Sequence, residues 1–550
     1  MRFLVVVLLT ATLACGDGGP VETTDATAAA AFEAVAWRGE TTPFDGYTLF
    51  QPMHSTSIYL VDMDGEPVHE WETDYNPGQS VYLLDNGNLL RAARDPQPTG
   101  SFRGGGEGGI VQEIAWDGTV VWEYKLSDET FRQHHDVEPM PNGNVLVIAW
   151  ESRTYEEAVA AGINPSRMES DFIWPDFIVE IEPVYPDRGD VVWEWHAWDH
   201  LVQELYRDKA NYGVVAEHPE LIDINAAPAH TARQQIATQE SLEQLRSLGY
   251  IAGSAETDDR PEIGADWLHL NSVDYNAELD QVLLSSRHFS EVWIVDHSTT
   301  TEEAAGKTGG RWGKGGDLLY RWGNPEAWSV GGPDDRQLFV QHDAQWIGKG
   351  LPGAGNILIF NNGAGRADGN YSSVDEIAPP TDTAGNYLMV PEEPSAPLGP
   401  VWTYVAPDKE SLFSGMLSGA QRLPNGNTLI AEGARGRMLE VGAENAVVWE
   451  LLNPFAEDED QFRDMMRRAF AAPGGESGEQ QEGSEGPRAG RGGRRGPPPG
   501  GFAPGMRDGP GGRRGPGGTG GMPQPGGMYK ATRIPRGHPG LARLRTEGPG

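Results

Sequence analysis

The 550-residue sequence predicts an all-β protein folded as a six-bladed β-propeller. Two recurring phrases predict this fold, a tight turn of the form Asn-Gly-Asn and a strand that ends on tryptophan. Short strands of this kind cannot bury their own apolar faces, so the copies must pack against one another. Six copies of the tryptophan phrase predict six blades.

The Asn-Gly-Asn phrase stands between apolar residues and predicts a hairpin turn. Asn-Gly supplies the positive φ angles that a tight connection between antiparallel strands requires. Three copies and one looser copy occur, at residues 84–90, 140–146, 423–429 and, in the looser form, 352–358.

The second phrase is a strand pair that closes on tryptophan, as in the segment 114–122. A large aromatic side chain at the end of each repeat favours packing between blades. The unequal spacing of the copies indicates insertions of different lengths between them. The closing residues are Trp71, Trp122, Trp193, Trp322, Trp402 and Trp449.

The N-terminus predicts export. Arg2 is followed by a short apolar run and then by small residues, which is the pattern of a signal peptide and is too short to span a bilayer. Cys15, directly after Leu13 and Ala14, indicates a lipoprotein site, and ordinary cleavage near Ala14 is the alternative. We therefore expect a signal peptide over residues 1–15, a tether over 16–45, and a protein of the periplasm or outer membrane.

The rest of the chain divides by composition. We expect the propeller over residues 46–470, with a helical insertion over 199–250 because Leu242, Leu245 and Leu248 share one helical face. The Gly-, Pro- and Arg-rich stretch 471–528 predicts a disordered linker. The first repeat lacks a strand before Gly46, and the tail 529–550 contains a candidate for a returning strand that completes it.

Composition excludes several classes of function. Lys and Arg number 42 against 81 Asp and Glu, and the net charge of −39 argues against a nucleic-acid-binding protein. The single cysteine, Cys15, excludes a disulfide scaffold, a cysteine-based zinc site, an iron–sulfur cluster and a c-type haem attachment. The sequence indicates no cofactor.

Three repeats carry histidine where the innermost strand enters the central channel. The repeats open with Gln-His-His-Asp at 133–136, Leu-His-Leu-Asn-Ser at 268–272 and Gln-His-Asp at 341–343. This register predicts equivalent positions in neighbouring blades for His135, His269 and His342, with His134 as the alternative to His135. Asn271 shares the strand face of His269, and Arg287 falls on the next strand.

The residue types restrict the chemistry of this predicted site. Three histidines could hold a divalent metal, but the cation would be repelled by Arg287 in the same pocket, so we expect no metal. Arginine, asparagine and neutral imidazoles together suit a tetrahedral oxyanion. One neutral imidazole can act as a nucleophile and a second as the acid or base.

The stretch from residue 46 to residue 454 resembles the bacterial arylsulfotransferase family. The matching phrases lie at 134–144, 269–276, 285–296, 316–325 and 341–346. The resemblance implies transfer of a sulfuryl group from an aryl sulfate to a phenol by a ping-pong mechanism. It implies His342 as the transiently sulfated residue and, as its companions around the sulfuryl group, His135, His269, Asn271 and Arg287.

Some expectations stay open at this point. Trp346, Tyr371 and His134 are candidates for substrate contacts, with blade packing as the alternative for the two aromatic residues. Well-studied family members carry a separate N-terminal β domain, and some carry a cysteine pair, whereas in this sequence only residues 16–45 lie between the expected signal peptide and the propeller, and Cys15 is the single cysteine. A noncatalytic scaffold of the cell envelope and a quinone-dependent dehydrogenase are the competing functions, and a homodimer is compatible with the sequence.

Overall fold

The structure, a computed structural model, describes residues 39–168, 170–226, 265–456 and 526–547. Six four-stranded antiparallel sheets account for most of these residues, which confirms the prediction of an all-β, six-bladed propeller. The innermost strands of successive blades contact one another in a ring around the central channel. Among the described residues, no helix has the length and apolar character needed to cross a membrane.

Blades 1 to 3 take up the first half of the propeller. Blade 1 contains β1 (Gly46–Pro52), β2 (Ser57–Val61) and β3 (Pro67–Glu72). Blade 2 contains β4 (Pro77–Leu83), β5 (Leu89–Arg94), β6 (Gly109–Ile114) and β7 (Val120–Lys125). Blade 3 contains β8 (Phe131–Pro139), β9 (Val145–Glu151), the short pair β10 (Arg153–Thr154) and β11 (Phe172–Ile173) in its loop, and then β12 (Asp176–Val184) and β13 (Arg188–His196).

Blades 4 to 6 follow an excursion that contains the short strands β14 (Leu201–Val202) and β15 (Ile222–Asp223). Blade 4 contains β16 (Leu270–Asn276), β17 (Gln281–Ser286), β18 (Glu291–Asp296) and β19 (Tyr320–Trp322). Blade 5 contains β20 (His342–Trp346), β21 (Ile357–Asn361), β22 (Ser373–Ile377) and β23 (Trp402–Val405). Blade 6 contains β24 (Gly419–Arg422), β25 (Thr428–Glu432), β26 (Arg437–Val441) and β27 (Val447–Leu452).

In the described ranges, helices are few and short. The α-helices are Tyr155–Ala161, Thr301–Ala304 and Ala542–Glu547. The 3₁₀ turns are Pro165–Arg167, Ala197–His200, Val215–Glu217, Pro325–Trp328, Pro333–Asp335, Lys409–Ser411, Gly433–Arg435, Ala443–Asn445 and Pro539–Leu541.

The chain's last strand closes the ring. This strand, β28 (Met528–Pro535), pairs antiparallel with β1, with Gly46 opposite Pro535 and Leu49 opposite Thr532. It is the innermost strand of blade 1, so the first blade combines three strands from the start of the chain with one from its end. The C-terminal strand therefore lines the same channel as the histidine-bearing strands.

The recurring tryptophans join neighbouring blades. In five of the six blades the indole N–H of the outer strand donates to an oxygen atom of the following blade. In blade 2, for example, Trp122 donates to the carbonyl of Arg188 at 2.7 Å. A buried indole is stable when its apolar body is packed and its N–H is paired, which explains the repeat. The other four donors are Trp193, Trp322, Trp402 and Trp449.

The Asn-Gly-Asn turns join strands within one blade. At the first copy, the side-chain amides of Asn86 and Asn88 both donate to Glu113 on β6, and Gly87 has a φ of 88°. The same arrangement recurs at the second copy, where Asn142 and Asn144 donate to Glu180. The turn therefore fixes the third strand of the sheet as well as the first two.

The segment 199–250 differs from the prediction where the structure describes it. Residues 199–226 contain the pair β14 and β15 and a 3₁₀ turn, and no α-helix occurs in this described part. The reason is that Val202, Val215 and Leu221 are spaced irregularly and pack against Trp328 and Val330 instead of forming a helical face. The predicted helix around Leu242, Leu245 and Leu248 lies outside the described residues, as do the signal peptide, Cys15 and most of the tether and linker.

Candidate functional site

Bulges in the innermost strands turn the predicted histidines toward one space. In blades 3, 4 and 5 the pairing register of the first strand shifts beside the histidine. The backbone φ is positive there, at 53° for His135, 53° for His269 and 51° for Asp343. A bulge breaks the alternation of a strand and re-aims its side chains. The side chains of three neighbouring blades therefore converge at the channel.

The rings of His135 and His269 are in direct contact. They meet edge to face with their centroids 4.6 Å apart. Gly106 makes room for the first of them, because a Cβ at this position would come within 2.2 Å of the His135 ring. The Gly106 carbonyl also accepts the main-chain N–H of His135 at 2.8 Å. Any larger residue at 106 would displace the imidazole.

His342 is held in one tautomer. Its Nδ1 lies 2.7 Å from the side-chain oxygen of Asn362 and 3.1 Å from the carbonyl of Val340, and both are acceptors. The amide of Asn362 cannot turn over, because its nitrogen donates to the carbonyls of Ser414 and Leu417. Nδ1 therefore carries the proton and Nε2 bears the lone pair in the neutral ring.

Arg287 supplies the positive charge of the site. It lies one residue beyond β17, in the turn to β18 and not within the strand as predicted, and its main-chain N–H donates to the carbonyl of His269 at 3.2 Å. Burial, and after it the charge of Arg287, lowers the pKa of His342 from 6.5 to about 3. Burial also lowers the pKa of His135 and His269 well below 6.5, and Arg287 adds to both shifts. At neutral pH the imidazoles are uncharged beside one guanidinium.

Asn271 links two of the histidine-bearing blades. It is fully buried, and its side-chain amide donates to the carbonyl of Gln341, the residue before His342, at 2.7 Å. The hydroxyl of Tyr529 donates to the main-chain carbonyl of Asn271.

His134 lies behind His135. Its ring stacks on Trp150 with centroids 4.0 Å apart and planes 10° apart. Its Nδ1 is 2.8 Å from Nδ1 of His135, and its Nε2 is 2.8 Å from a carboxyl oxygen of Asp176. His134 is fully buried by these groups, which makes it a partner of His135 and not a substrate contact.

Of the two aromatic candidates, Trp346 lies at the far end of β20 from His342. It packs against the apolar cluster between blades 4 and 5, and its main-chain N–H donates to Asp274. Trp346 therefore contributes to blade packing, and a substrate contact at this residue stays a prediction. Tyr371 lies in the loop between β21 and β22, with Arg366 and Lys409 4.6 and 4.1 Å from its ring.

The closing strand contributes a buried lysine that the sequence prediction missed. Lys530 Nζ lies 2.6 Å from the hydroxyl of Tyr82, 3.1 Å from Asp343 and 3.4 Å from Asp136. These two aspartates follow His342 and His135 in the chain. Burial opposes the charge of Lys530, but the two carboxylates raise its pKa above its usual range.

Asn362 and Gly106 were also missed. The signals in the sequence are the Asn-Asn-Gly triplet at 361–363, directly after β21, and the glycine-rich run at 104–109. Both are typical of backbone that must turn sharply or approach another chain segment closely. Neither signal indicates which imidazole it serves.

One cluster among the described residues has the composition of a metal site. Nitrogen and oxygen atoms of Asp266, His269 and His288 lie within 4.8 Å of one another. Nδ1 of His269 is already hydrogen-bonded to Asp266, and Nδ1 of His288 donates to the Asp266 carbonyl. The three residues are explained equally well as a carboxyl group that orients imidazoles and as a cation site. The nearby Arg287 disfavours a cation.

The arrangement is suited to nucleophilic transfer of an anionic group. Nε2 of His342 can act as a neutral nucleophile, Arg287 and Asn271 are groups of the type that donate to anionic oxygens, and His135 can act as an acid or base. Such a combination handles a group that carries its negative charge on several oxygens.

Comparison with known proteins agrees with this chemistry. The sequence profile of the Arylsulfotransferase (ASST) family matches residues 45–450. The arylsulfate sulfotransferase AssT of Escherichia coli O6:H1 is 24% identical over 395 residues, which cover 70% of this chain and 58% of that protein. The chain thus spans less than two thirds of the length of this curated relative.

Solved structures with a similar fold are distant. A protein of unknown function from Bacteroides caccae is 13% identical, with a TM-score of 0.36 over 74% of this chain and 93% of that one. The periplasmic gluconolactonase PpgL of Pseudomonas aeruginosa is 11% identical, with a TM-score of 0.35 over 74% of this chain and 95% of that one. At these values neither protein informs the function.

Proposed function

The chain belongs to the arylsulfotransferase family, and we propose that it transfers a sulfuryl group from an aryl sulfate to a phenol through a sulfated His342. The aryl sulfate and the phenol are the only partners that the reaction requires. The family relationship supports the reaction class, and the geometry around His342 supports the covalent step.

In the first half-reaction, Nε2 of His342 attacks sulfur as the bond from sulfur to the aryl oxygen breaks. Arg287 and Asn271 bind the nonbridging oxygens, where negative charge is held in the transition state. His135 or His269 gives a proton to the departing oxygen. A phenol has a pKa of about 10, so the phenolate is a tolerable leaving group and acid catalysis of about 10²–10⁴-fold suffices.

In the second half-reaction, the same imidazole takes the proton of an incoming phenol. The phenol oxygen then attacks sulfur, the bond from sulfur to His342 breaks, and the neutral imidazole is restored. Each half-reaction is the reverse of the other in chemical type, which is the property of a ping-pong enzyme.

The observation that carries the proposal is the contact between His342 and Asn362. Because Asn362 accepts from Nδ1, the lone pair stands on Nε2. The pKa of about 3 keeps that lone pair unprotonated at neutral pH.

The test is transfer from p-nitrophenyl sulfate to phenol by wild type, His342→Asn and His218→Asn. The last variant alters a half-buried histidine that pairs with Glu220 on the protein surface. We expect nitrophenol release that depends on phenol in wild type and His218→Asn, and none in His342→Asn. Release that does not depend on phenol would indicate a sulfatase instead.

The same assay separates the competing functions. A noncatalytic scaffold would release no nitrophenol in any variant. A metal-dependent hydrolase would lose its activity with EDTA, and a quinone-dependent dehydrogenase would show the absorbance of the bound quinone.

We also propose export and attachment to the cell envelope, on the evidence of the sequence around Cys15. Metabolic labelling with a radioactive fatty acid tests this in the native host. Label in wild type but not in Cys15→Ala is the expected result, and unlabelled wild type would favour a released protein.

A further inference from the structure

Behind the proposed site, Asp176, His134 and His135 form a continuous row of titratable groups. Nε2 of His134 is 2.8 Å from Oδ1 of Asp176, and Nδ1 of His134 is 2.8 Å from Nδ1 of His135. The His134 ring is thus the only link between the other two, with one nitrogen toward each. The His135 ring, at the end of this row, contacts the ring of His269 with centroids 4.6 Å apart.

The row is isolated from solvent and held in place. Asp176 and His134 are fully buried, and His135 is 2% exposed. Trp150 stacks on the His134 ring, and Oδ1 of Asp176 accepts the main-chain N–H of Leu270 at 3.2 Å.

We propose that Asp176 and His134 relay a proton to and from His135, so that His135 acts as acid in the first half-reaction and as base in the second. This inference rests on the proposed sulfuryl transfer and assigns a role to two residues outside the sulfuryl-binding set. Asp176 and His134 are positioning and relay residues, since neither touches the substrate.

The starting state of the row follows from its environment. Burial, and then the negative charge of Asp266, raises the pKa of Asp176 well above 3.8. Burial lowers the pKa of His134 to about 3. These directions are consistent with the starting state of the proposed relay, in which protons are placed on the carboxyl of Asp176, on Nδ1 of His134 and on Nε2 of His135.

The proton count balances in each half-reaction. As the aryl oxygen leaves sulfur, it takes the proton from Nε2 of His135. Nδ1 of His135 takes the proton from Nδ1 of His134, and Nε2 of His134 takes the proton from the carboxyl of Asp176. After these transfers, Asp176 carries the negative charge, both imidazoles are neutral, and Nε2 of His135 has a lone pair. The incoming phenol reverses every transfer.

The relay avoids a second positive charge beside Arg287. A positively charged His135 would be disfavoured by burial and would add a second cation beside Arg287, and both effects lower the pKa of His135. With the relay, His135 delivers a proton while no imidazole becomes charged. The changing charge resides on Asp176, behind His134 and away from the sulfuryl group.

The decisive experiment compares a poor and a good leaving group in Asp176→Asn. The amide is close to the carboxyl in shape and keeps an oxygen for the N–H of Leu270, but it cannot release a proton. The substituted side chain gives no proton to His134. His135 therefore stays in the form that has no proton on Nε2. We expect kcat/KM for phenyl sulfate to fall about 100-fold, because acid catalysis is lost, and for p-nitrophenyl sulfate to fall less than about 3-fold, because nitrophenolate leaves without a proton.

A second variant and a matched control distinguish a relay from a structural role. His134→Phe keeps the stack on Trp150 but breaks the row, so it should show the same dependence on the leaving group, and the double variant should be no worse than either single one. Asp274→Asn is the control, because Asp274 also accepts a main-chain N–H of the next blade, that of Trp346, and lies outside the row. It should show no dependence on the leaving group.

The outcomes separate the two proposals. Equal losses with both donors in Asp176→Asn, or additive losses in the double variant, would overturn the relay. If wild type transfers no sulfuryl group to phenol or forms no adduct on His342, the proposed function fails instead, before the variants are compared.

Discussion

The ammonium group of Lys530 lies 3.1 Å from a carboxylate oxygen of Asp343, the residue that follows His342. The same nitrogen lies 3.4 Å from Asp136, the residue that follows His135. One buried cation on the closing strand therefore holds the carboxylates next to two imidazoles of the site. Ring closure and site geometry depend on the same strand.

Removing this cation should destabilise the fold. Lys530→Met leaves two buried carboxylates without their counter-ion, and we expect the free energy of unfolding to fall by about 3–5 kcal/mol. Urea denaturation followed by tryptophan fluorescence measures the change. Lys530→Arg keeps the charge and should lose much less.

Lys349→Met is the matched control for that measurement. Lys349 pairs with Glu278, but its side chain is 83% exposed against 11% for Lys530. Its removal should leave the denaturation midpoint unchanged. Equal destabilisation by the two substitutions would show that Lys530 contributes no more than a surface ion pair.

The tautomer of His342 gives a prediction for Asn362. Asn362→Ala removes the nearer of the two acceptors that fix the proton on Nδ1 and leaves the carbonyl of Val340. We expect kcat to fall about 10- to 100-fold with little change in the KM for the donor, because orientation of the nucleophile is lost while the sulfate-binding groups remain. Asn370→Ala, in the exposed part of the same loop, is the control. A change in KM alone would contradict this role.

Arg287 should be sensitive to the shape of its side chain as well as to its charge. Lysine keeps the charge but cannot make two parallel hydrogen bonds to an oxyanion. We expect Arg287→Lys to lower kcat/KM about 10²-fold and Arg287→Gln to lower it further, because donors to the transferring group are lost. Arg311→Lys, at an exposed position beside Trp312, should retain full activity. Full activity of Arg287→Lys would show that charge alone suffices.

The lowered pKa of His342 predicts the acid side of the pH profile. Protonation removes the lone pair of the nucleophile, and the pKa in the folded protein is about 3 in place of 6.5. The nucleophile therefore stays active as the pH falls through 6.5 and is lost only near pH 3. We expect kcat/KM for p-nitrophenyl sulfate to show no decline centred at pH 6.5. A decline centred there would mean that the essential imidazole is accessible to water.

Much of the fold is predictable from the sequence because its repeats reflect repeated contacts. Outer-strand tryptophans such as Trp122 recur because their indole N–H groups pair with the following blade. The turns recur because their side-chain amides donate to a glutamate of the same sheet, Glu113 or Glu180. The segment 199–226 does not repeat, and its apolar residues pack against blade 4 without a regular period, so no pattern indicated its short strands.

The site is predictable in part for the same reason. His135, His269 and His342 lie in or directly before the innermost strands of three neighbouring blades, so the repeat brings all three to the axis. The partners of these imidazoles are not repeated. Lys530 and Asp136 are 394 residues apart in the chain, and the contact exists only because the ring closes. His134 looked like a competitor of His135 because spacing alone does not show which ring stands behind the other.

The central claim is that Nε2 of His342 carries the sulfuryl group between donor and acceptor. The most direct measurement is mass spectrometry of the intact protein after brief exposure to p-nitrophenyl sulfate without a phenol, followed by peptide mapping under conditions that preserve a sulfated imidazole. The account predicts one added SO₃ group, located on the peptide that contains His342 and removed when phenol is added. An adduct on another residue, or phenol-dependent transfer with no adduct on His342 at any time during turnover, would contradict it.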